Sequence, residues 1–93
     1  MPFVVLYEWE VPPDKEEEFK KAWHQVTLMI RERYNSLGSR LHTGEEKGRF
    51  LGYAVWPDRS GWERMMEDRK DAPSPNSTLV SQKCFEVIDD QLV

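Results

Sequence analysis

The sequence predicts an α+β fold in which two helices cover one face of a four-stranded antiparallel sheet. Apolar and polar residues alternate over residues 3–11, as they do in strands, and residues 15–34 carry apolar side chains at helical spacing. Further strand and helix patterns follow after this helix. At 93 residues the chain has room for one domain, so we expect a single domain over residues 1–93.

The first strand is predicted over residues 3–11, whose sequence is FVVLYEWEV. Because successive side chains of a strand point to opposite faces, alternate residues form two sets. One face carries Phe3, Val5, Tyr7, Trp9 and Val11, and the other carries Val4, Leu6, Glu8 and Glu10. Two prolines end the strand at positions 12 and 13, since proline cannot donate a hydrogen bond within a sheet.

The first helix is predicted over residues 15–34. Asp14, followed three residues later by Glu17, predicts a capping box at its start. Asn35, Ser36 and Gly38 mark its exit, where Gly38 is the best residue for a left-handed turn. Leu28 lies opposite the apolar side, which leaves two interpretations: an isolated exposed leucine or a contact with another chain. The apolar side itself carries Phe19, Ala22, Trp23, Val26, Met29, Ile30 and Tyr34.

The second half of the chain predicts a hairpin, a helix, a loop and a strand. The hairpin strands span residues 39–43 and 49–56, on either side of the polar turn GEEKG. Ser60 with Glu63 predicts a second capping box. It opens a helix over 61–69 whose inward side carries Trp62, Met65 and Met66, with Arg69 as a further candidate. A proline-containing loop then spans 71–78, and the last strand spans 79–88.

The order strand, helix, strand, strand, helix, strand is that of the ferredoxin-like βαββαβ fold. Both crossovers are expected to be right-handed, which places both helices on the same face of the sheet. Which face of the second strand meets the helices stays open at this point.

The second face of the predicted sheet is also apolar in its central strands. Its apolar residues are Val4, Leu6, Leu51, Tyr53 and Val55. In a monomer this face would be polar, because water would cover it. A homodimer that packs sheet against sheet is the simplest way to bury it, and a different protein partner is the alternative.

Composition excludes several classes of function. The net charge of −4 and the pI near 5.2 provide no positive field for nucleic acid or for a membrane surface. The N-terminal sequence has no signal-peptide or transmembrane pattern, so we expect a cytoplasmic protein. Cys84 is the single cysteine, which excludes an internal disulfide and a thiolate cluster, and the two histidines lack metal-ligand spacing. We therefore expect no metal.

His42 and Arg40 are the candidate catalytic residues. They lie two apart on a predicted strand and therefore share one of its faces. A histidine can act as a base near neutral pH, and an arginine can stabilise the resulting anion. The alternative is that both bind only solvent or the acidic turn residues Glu45 and Glu46. His24, on the first helix, is expected to have a solvated surface role.

Aromatic residues are the candidate ligand-binding residues. Trp23 and Trp62 come from the inward sides of the two helices, and Tyr7 comes from the first strand. Aromatic rings can form the walls of a site for a planar ligand, while Met65 adapts to irregular shapes. The alternative interpretation is plain core packing.

Three segments together resemble the antibiotic biosynthesis monooxygenase family over nearly the whole chain. They are the first strand with PPDKEEEFKKAW, the segment LGSRLH after the helix, and YAVWPDRSGWE between the third strand and the second helix. The resemblance implies a dimeric α+β barrel of ferredoxin-like subunits with a pocket between helices and sheet. It also implies a cofactor-independent monooxygenase acting on an aromatic or quinol-like small molecule, with no cofactor.

Two alternatives accompany this interpretation. One is a non-catalytic dimeric module that binds a small ligand or another protein. The other is the haem-degrading branch of the same family, which requires an asparagine in the first strand, a tryptophan in the second helix and a histidine soon after it. The matching positions here are Tyr7 and Met65, and residues 67–80 contain no histidine, so this branch is disfavoured.

Overall fold

The predicted α+β fold is confirmed by the computed structural model, which describes residues 2–92. The four strands form one antiparallel sheet in the order β2-β3-β1-β4. Both helices pack on the same face of this sheet, as the ferredoxin-like order requires. The elements are β1 (Phe3–Glu10), α1 (Glu16–Tyr34), β2 (Gly38–Thr43), β3 (Arg49–Trp56), α2 (Arg59–Asp68) and β4 (Thr78–Glu86).

The core lies between the helices and the inner face of the sheet, which is the face that the helices cover. Its main cluster joins side chains from β1 and β3 to side chains from both helices: Phe3, Val5, Ala54, Trp56, Tyr34, Trp62 and Met65. A second cluster, at the other end of the sheet, consists of Val11, Phe19 and Phe50. Alternation along β1 and β3 therefore divides the strands into inner and outer sets as predicted.

The register of the β2–β3 hairpin determines which face of β2 meets the helices. Leu41 packs against the second core cluster, so it belongs to the inner face. Arg40 is paired with Tyr53 and His42 with Leu51, and these partners alternate with the buried inner residues of β3. Paired residues project to the same side of a sheet. Arg40 and His42 therefore lie on the outer face, opposite the face that the helices cover.

Both predicted capping boxes are wrong. Pro13–Lys15 forms a short 3₁₀ turn, so Asp14 lies inside this turn, and Lys15 precedes α1 without a side-chain cap. At α2 the cap is Asp58 rather than Ser60. The Asp58 carboxylate accepts hydrogen bonds from Gly61 N–H at 3.2 Å and from Ser60 Oγ–H at 2.7 Å. The helix consequently begins two residues earlier than predicted.

The exit from α1 contains two residues with positive φ. Asn35 adopts the left-handed conformation directly after α1, with φ of 59°, and Gly38 has φ of 113°. Asparagine tolerates this region because its short polar side chain can bond locally. The last strand spans Thr78–Glu86 instead of 79–88.

Within residues 2–92, neither helix has both the length and the apolar content that crossing a bilayer requires.

The Asp58 cap leads to a stability prediction. Hydrogen bonds from Ser60 and Gly61 hold the pKa of the Asp58 carboxyl below its ordinary value. A lowered pKa stabilises the fold above the ordinary value of 3.8, and this contribution is lost as the pH falls through the folded-state pKa. Asp58→Ala should therefore lower the melting temperature at neutral pH and have less effect in acid. Asp14→Ala, at the uncapped start of α1, should change it little; equal losses for both variants would contradict the assignment.

Candidate functional site

A cavity of about 300 Å³ lies between the inner face of the sheet and the two helices. We call it the helix–sheet cavity. Its floor includes Tyr7 and Trp9 of β1 and Gly52, Ala54 and Trp56 of β3. Residues 72–77, in the loop between α2 and β4, form part of its rim, and most of them are exposed. The size and the largely apolar lining are those of a small-molecule site.

Aromatic rings form one wall of this cavity. The rings of Tyr7 and Trp9 stack with centroids 5.5 Å apart and planes 17° apart, and Phe19 packs edge-on against Trp9 at 5.4 Å. Gly52 allows this arrangement, because a Cβ atom there would lie 2.6 Å from Cη2 of Trp9. The absence of a side chain at Gly52 thus lets the Trp9 indole lie directly against β3. Such a flat aromatic surface suits a planar ligand.

Tyr7 is a hydrogen-bond donor within this wall. Trp62 Nε1–H donates to the Tyr7 hydroxyl oxygen at 2.9 Å, and the Tyr7 hydroxyl donates to none of the other described residues. Burial raises the pKa of Tyr7 above 10.0, although the bond from Trp62 opposes this. The phenol is therefore neutral near pH 7 and retains its proton for a ligand.

Trp56 contributes a ring to the cavity and a buried, unpaired N–H group. Its side chain is 1% exposed, it lines the cavity, and its buried Nε1–H has no partner among the described residues. The Cε3 and Cζ3 edge of the indole lies towards Gly61 of α2, so Nε1 lies on the side of the ring system away from that contact. Buried donors are nearly always paired. Because Nε1 itself is buried, this N–H group is an unsatisfied donor of the core and does not face the cavity.

The structure separates the residues that the sequence singled out. Tyr7, Trp23 and Met65 line the helix–sheet cavity, whereas Trp62 reaches it through its hydrogen bond to Tyr7. Arg40 and His42 lie on the outer face, so a base and an anion-binding group at these positions would act on the far side of the sheet. Their catalytic role stays a prediction. Trp9, Trp56 and Arg69 are among the cavity residues that the sequence did not single out as ligand-binding.

A second depression, the outer groove, has a volume of about 930 Å³ and lies around the β2 edge. Its lining includes Val4, Tyr53 and Arg40 of the outer face, His24 and Leu28 of α1, and the segment 89–92. Within residues 2–92, no group of three or more histidine, cysteine, aspartate or glutamate side chains could hold a metal ion in either place.

The fold defines the class of protein to which the chain is structurally similar. Solved structures of antibiotic biosynthesis monooxygenases share it over nearly the full length, so the resemblance noted in the sequence is confirmed at the level of the fold. No protein-family model and no curated protein matches the sequence.

Three of these structures show the range of the class. SnoaB, a cofactor-independent oxygenase from Streptomyces nogalater, has a TM-score of 0.78 and 14% identity, with 97% of this chain and 96% of that chain covered. A Deinococcus radiodurans protein proposed to be an antibiotic biosynthesis monooxygenase has a TM-score of 0.74 and 10% identity, covering 98% and 97%. The haem degrader MhuD from Mycobacterium tuberculosis, with two haems in its active site, has a TM-score of 0.71 and 19% identity, covering 95% and 97%.

Proposed function

We propose that this chain is a cofactor-independent monooxygenase acting on a small aromatic or quinol-like molecule in the helix–sheet cavity. The observation that carries the proposal is an aromatic wall that includes the Tyr7 hydroxyl, which donates to no other described residue. The similarity of the fold to that of SnoaB, a cofactor-independent oxygenase, supports the same reaction class.

Such a reaction requires little from the protein. A ring C–H and the hydroxyl group of the phenol both become carbonyls: one oxygen atom of O₂ enters the ring, the other leaves as water with the ring hydrogen and the hydroxyl hydrogen, and the substrate supplies all four electrons. The aromatic walls would exclude water from the ring, and Tyr7 would stabilise negative charge on the substrate oxygen. Its position in a packed strand fixes this donor before the substrate arrives.

Oxygen uptake with a panel of phenols and quinols tests this proposal. For an accepted substrate, we expect Tyr7→Phe to lower turnover about a hundredfold, because it removes one donor to the developing oxyanion and retains the ring. The matched control is the double variant Arg40→Ala, His42→Ala on the outer face, which should retain turnover. Loss of turnover in the control alone would instead support Arg40 and His42 as the anion-binding group and base.

A non-catalytic binding module is the competing function. It predicts that the same compounds raise the melting temperature without oxygen uptake or product. A haem-degrading function has weaker support despite the likeness to MhuD, because neither histidine of the chain lines the helix–sheet cavity. Imidazole is a common axial ligand of haem iron.

We also propose that two copies of the chain pack outer face against outer face. The accessible surface of the chain is 6805 Å², whereas a compact monomer of 11.0 kDa has about 5,600 Å². The excess of about 1,200 Å² exceeds the roughly 800 Å² that each partner buries in a standard interface. Phe85 on the outer face and Leu28 in the outer groove are among the exposed apolar side chains. A homodimer would bury both regions.

A further inference from the structure

The charge distribution around the helix–sheet cavity is uneven. The whole chain has a net charge of −4, with 17 aspartate and glutamate residues. Yet none of these acidic residues lines the cavity in the described part of the chain, and Arg69 is the single charged residue that does. The cavity is thus locally positive in an acidic protein.

Arg69 is held where α2 meets the loop. Its backbone N–H donates to the Met65 carbonyl, and its own carbonyl accepts from the Ala72 N–H, both at 3.0 Å. Its side chain is partly buried, and no carboxylate among residues 2–92 lies within ion-pair distance of its guanidinium. The neighbouring Asp68 carboxylate instead accepts a hydrogen bond from Tyr34. A partly buried charge without a partner is unfavourable, so a ligand that supplies the countercharge would be stabilised.

The other polar groups of the cavity favour the same kind of ligand. Tyr7 O–H is available as a donor, and neither histidine lines the cavity to act as a base. A ligand that arrives already ionised would need no base. It would accept a hydrogen bond from Tyr7 and pair with the guanidinium.

We infer that the ligand of the helix–sheet cavity is a planar aromatic oxyanion, a carboxylate or phenolate, whose charged group binds Arg69 while its ring packs on the aromatic wall. This inference rests on the proposed location of the site and specifies the substrate class. Arg69 is then a specificity-determining residue, which distinguishes ionised from neutral aromatic compounds of the same shape.

Two nearly isosteric probes, 2-naphthoate and 2-naphthamide, separate charge from shape. In calorimetric titrations at neutral pH and low salt, we expect the carboxylate to bind about tenfold more tightly than the amide, because hydrogen bonds to charged groups are the stronger ones. Arg69→Gln should remove this preference, and Arg69→Lys should retain part of it. The matched control is Arg64→Gln on the same helix, whose guanidinium lies over the Tyr34 ring at 5.8 Å and which does not line the cavity.

The outcomes distinguish this inference from the proposed function. Equal affinities of the wild-type protein for the two probes, or an unchanged preference in Arg69→Gln, would overturn the role of Arg69 and leave the cavity as the site. Binding of neither probe, together with no oxygen uptake on any compound, would overturn the proposed function itself. A purely structural role for Arg69 at the helix end would change the melting temperature but not the ratio of the two affinities.

Discussion

Replacing Gly52 with alanine should abolish ligand binding in the helix–sheet cavity and lower the free energy of unfolding by about 1–3 kcal/mol. The new Cβ atom would lie 2.6 Å from Cη2 and 2.7 Å from Cζ3 of Trp9, distances that require the indole to move. Trp9 stacks on Tyr7 and lines the cavity, so its displacement would change the aromatic wall. Chemical denaturation and titration with 2-naphthoate measure the two effects.

The matched control for this variant is Gly61→Ala. A Cβ atom at Gly61 would lie 3.4 Å from Cε3 of Trp56, close to ordinary contact, and alanine favours the helix by about 1 kcal/mol over glycine. We expect this variant to bind the probe normally and to be at least as stable as the wild type. If Gly52→Ala also bound normally, the ligand would not lie against Trp9.

Replacing Phe85 with glutamate should convert the proposed homodimer to monomers. Phe85 is 47% exposed and is paired with Val4 on the outer face, so the isolated subunit should tolerate the change. In a dimer the carboxylate would be buried without a partner, and the apolar burial of the ring would be lost. We expect the dimer dissociation constant to rise at least about a hundredfold, measured by analytical ultracentrifugation.

Leu79→Glu is the control on the same strand. Leu79 is 49% exposed, but its β1 partner is Trp9, which belongs to the inner face. The outer-face arrangement therefore predicts a normal dimer for Leu79→Glu. A wild-type protein that is monomeric at micromolar concentration would contradict the proposed assembly, and dissociation by Leu79→Glu alone would point to a different interface.

The sequence predicted the elements of the fold because their patterns are long and regular. Alternation over residues 3–11 and helical spacing over 15–34 leave little choice of structure. The predictions of the two helix caps were wrong because the spacing of side chains alone does not determine which residue takes the extended conformation before a helix. Two prolines place Asp14 in a 3₁₀ turn, and the extended backbone at Asp58 lets its carboxylate reach Gly61 N–H.

The candidate site was harder to predict from the sequence, because the register between β2 and β3 determines which β2 side chains face the helices. A shift of one residue in β2 would exchange the faces of Arg40 and Leu41, and a single apolar residue in the strand, Leu41, is a weak signal for this choice. Trp56 was visible as an inner-face residue, but its unpaired N–H depends on contacts between distant segments. Arg69 was a candidate for the inward side of the helix, but its lack of an ion pair with any carboxylate of residues 2–92 could be found only in three dimensions.

Methyl resonances of ¹³C-labelled methionine test most directly whether the helix–sheet cavity binds an aromatic ligand. Met65 and Met66 line the cavity, whereas Met29 packs against the core outside it. Saturating 2-naphthoate should shift the Met65 and Met66 methyl resonances through its ring current and leave that of Met29 nearly unchanged. If bound 2-naphthoate left the Met65 and Met66 resonances in place, the ligand would lie elsewhere and the cavity would not be the site.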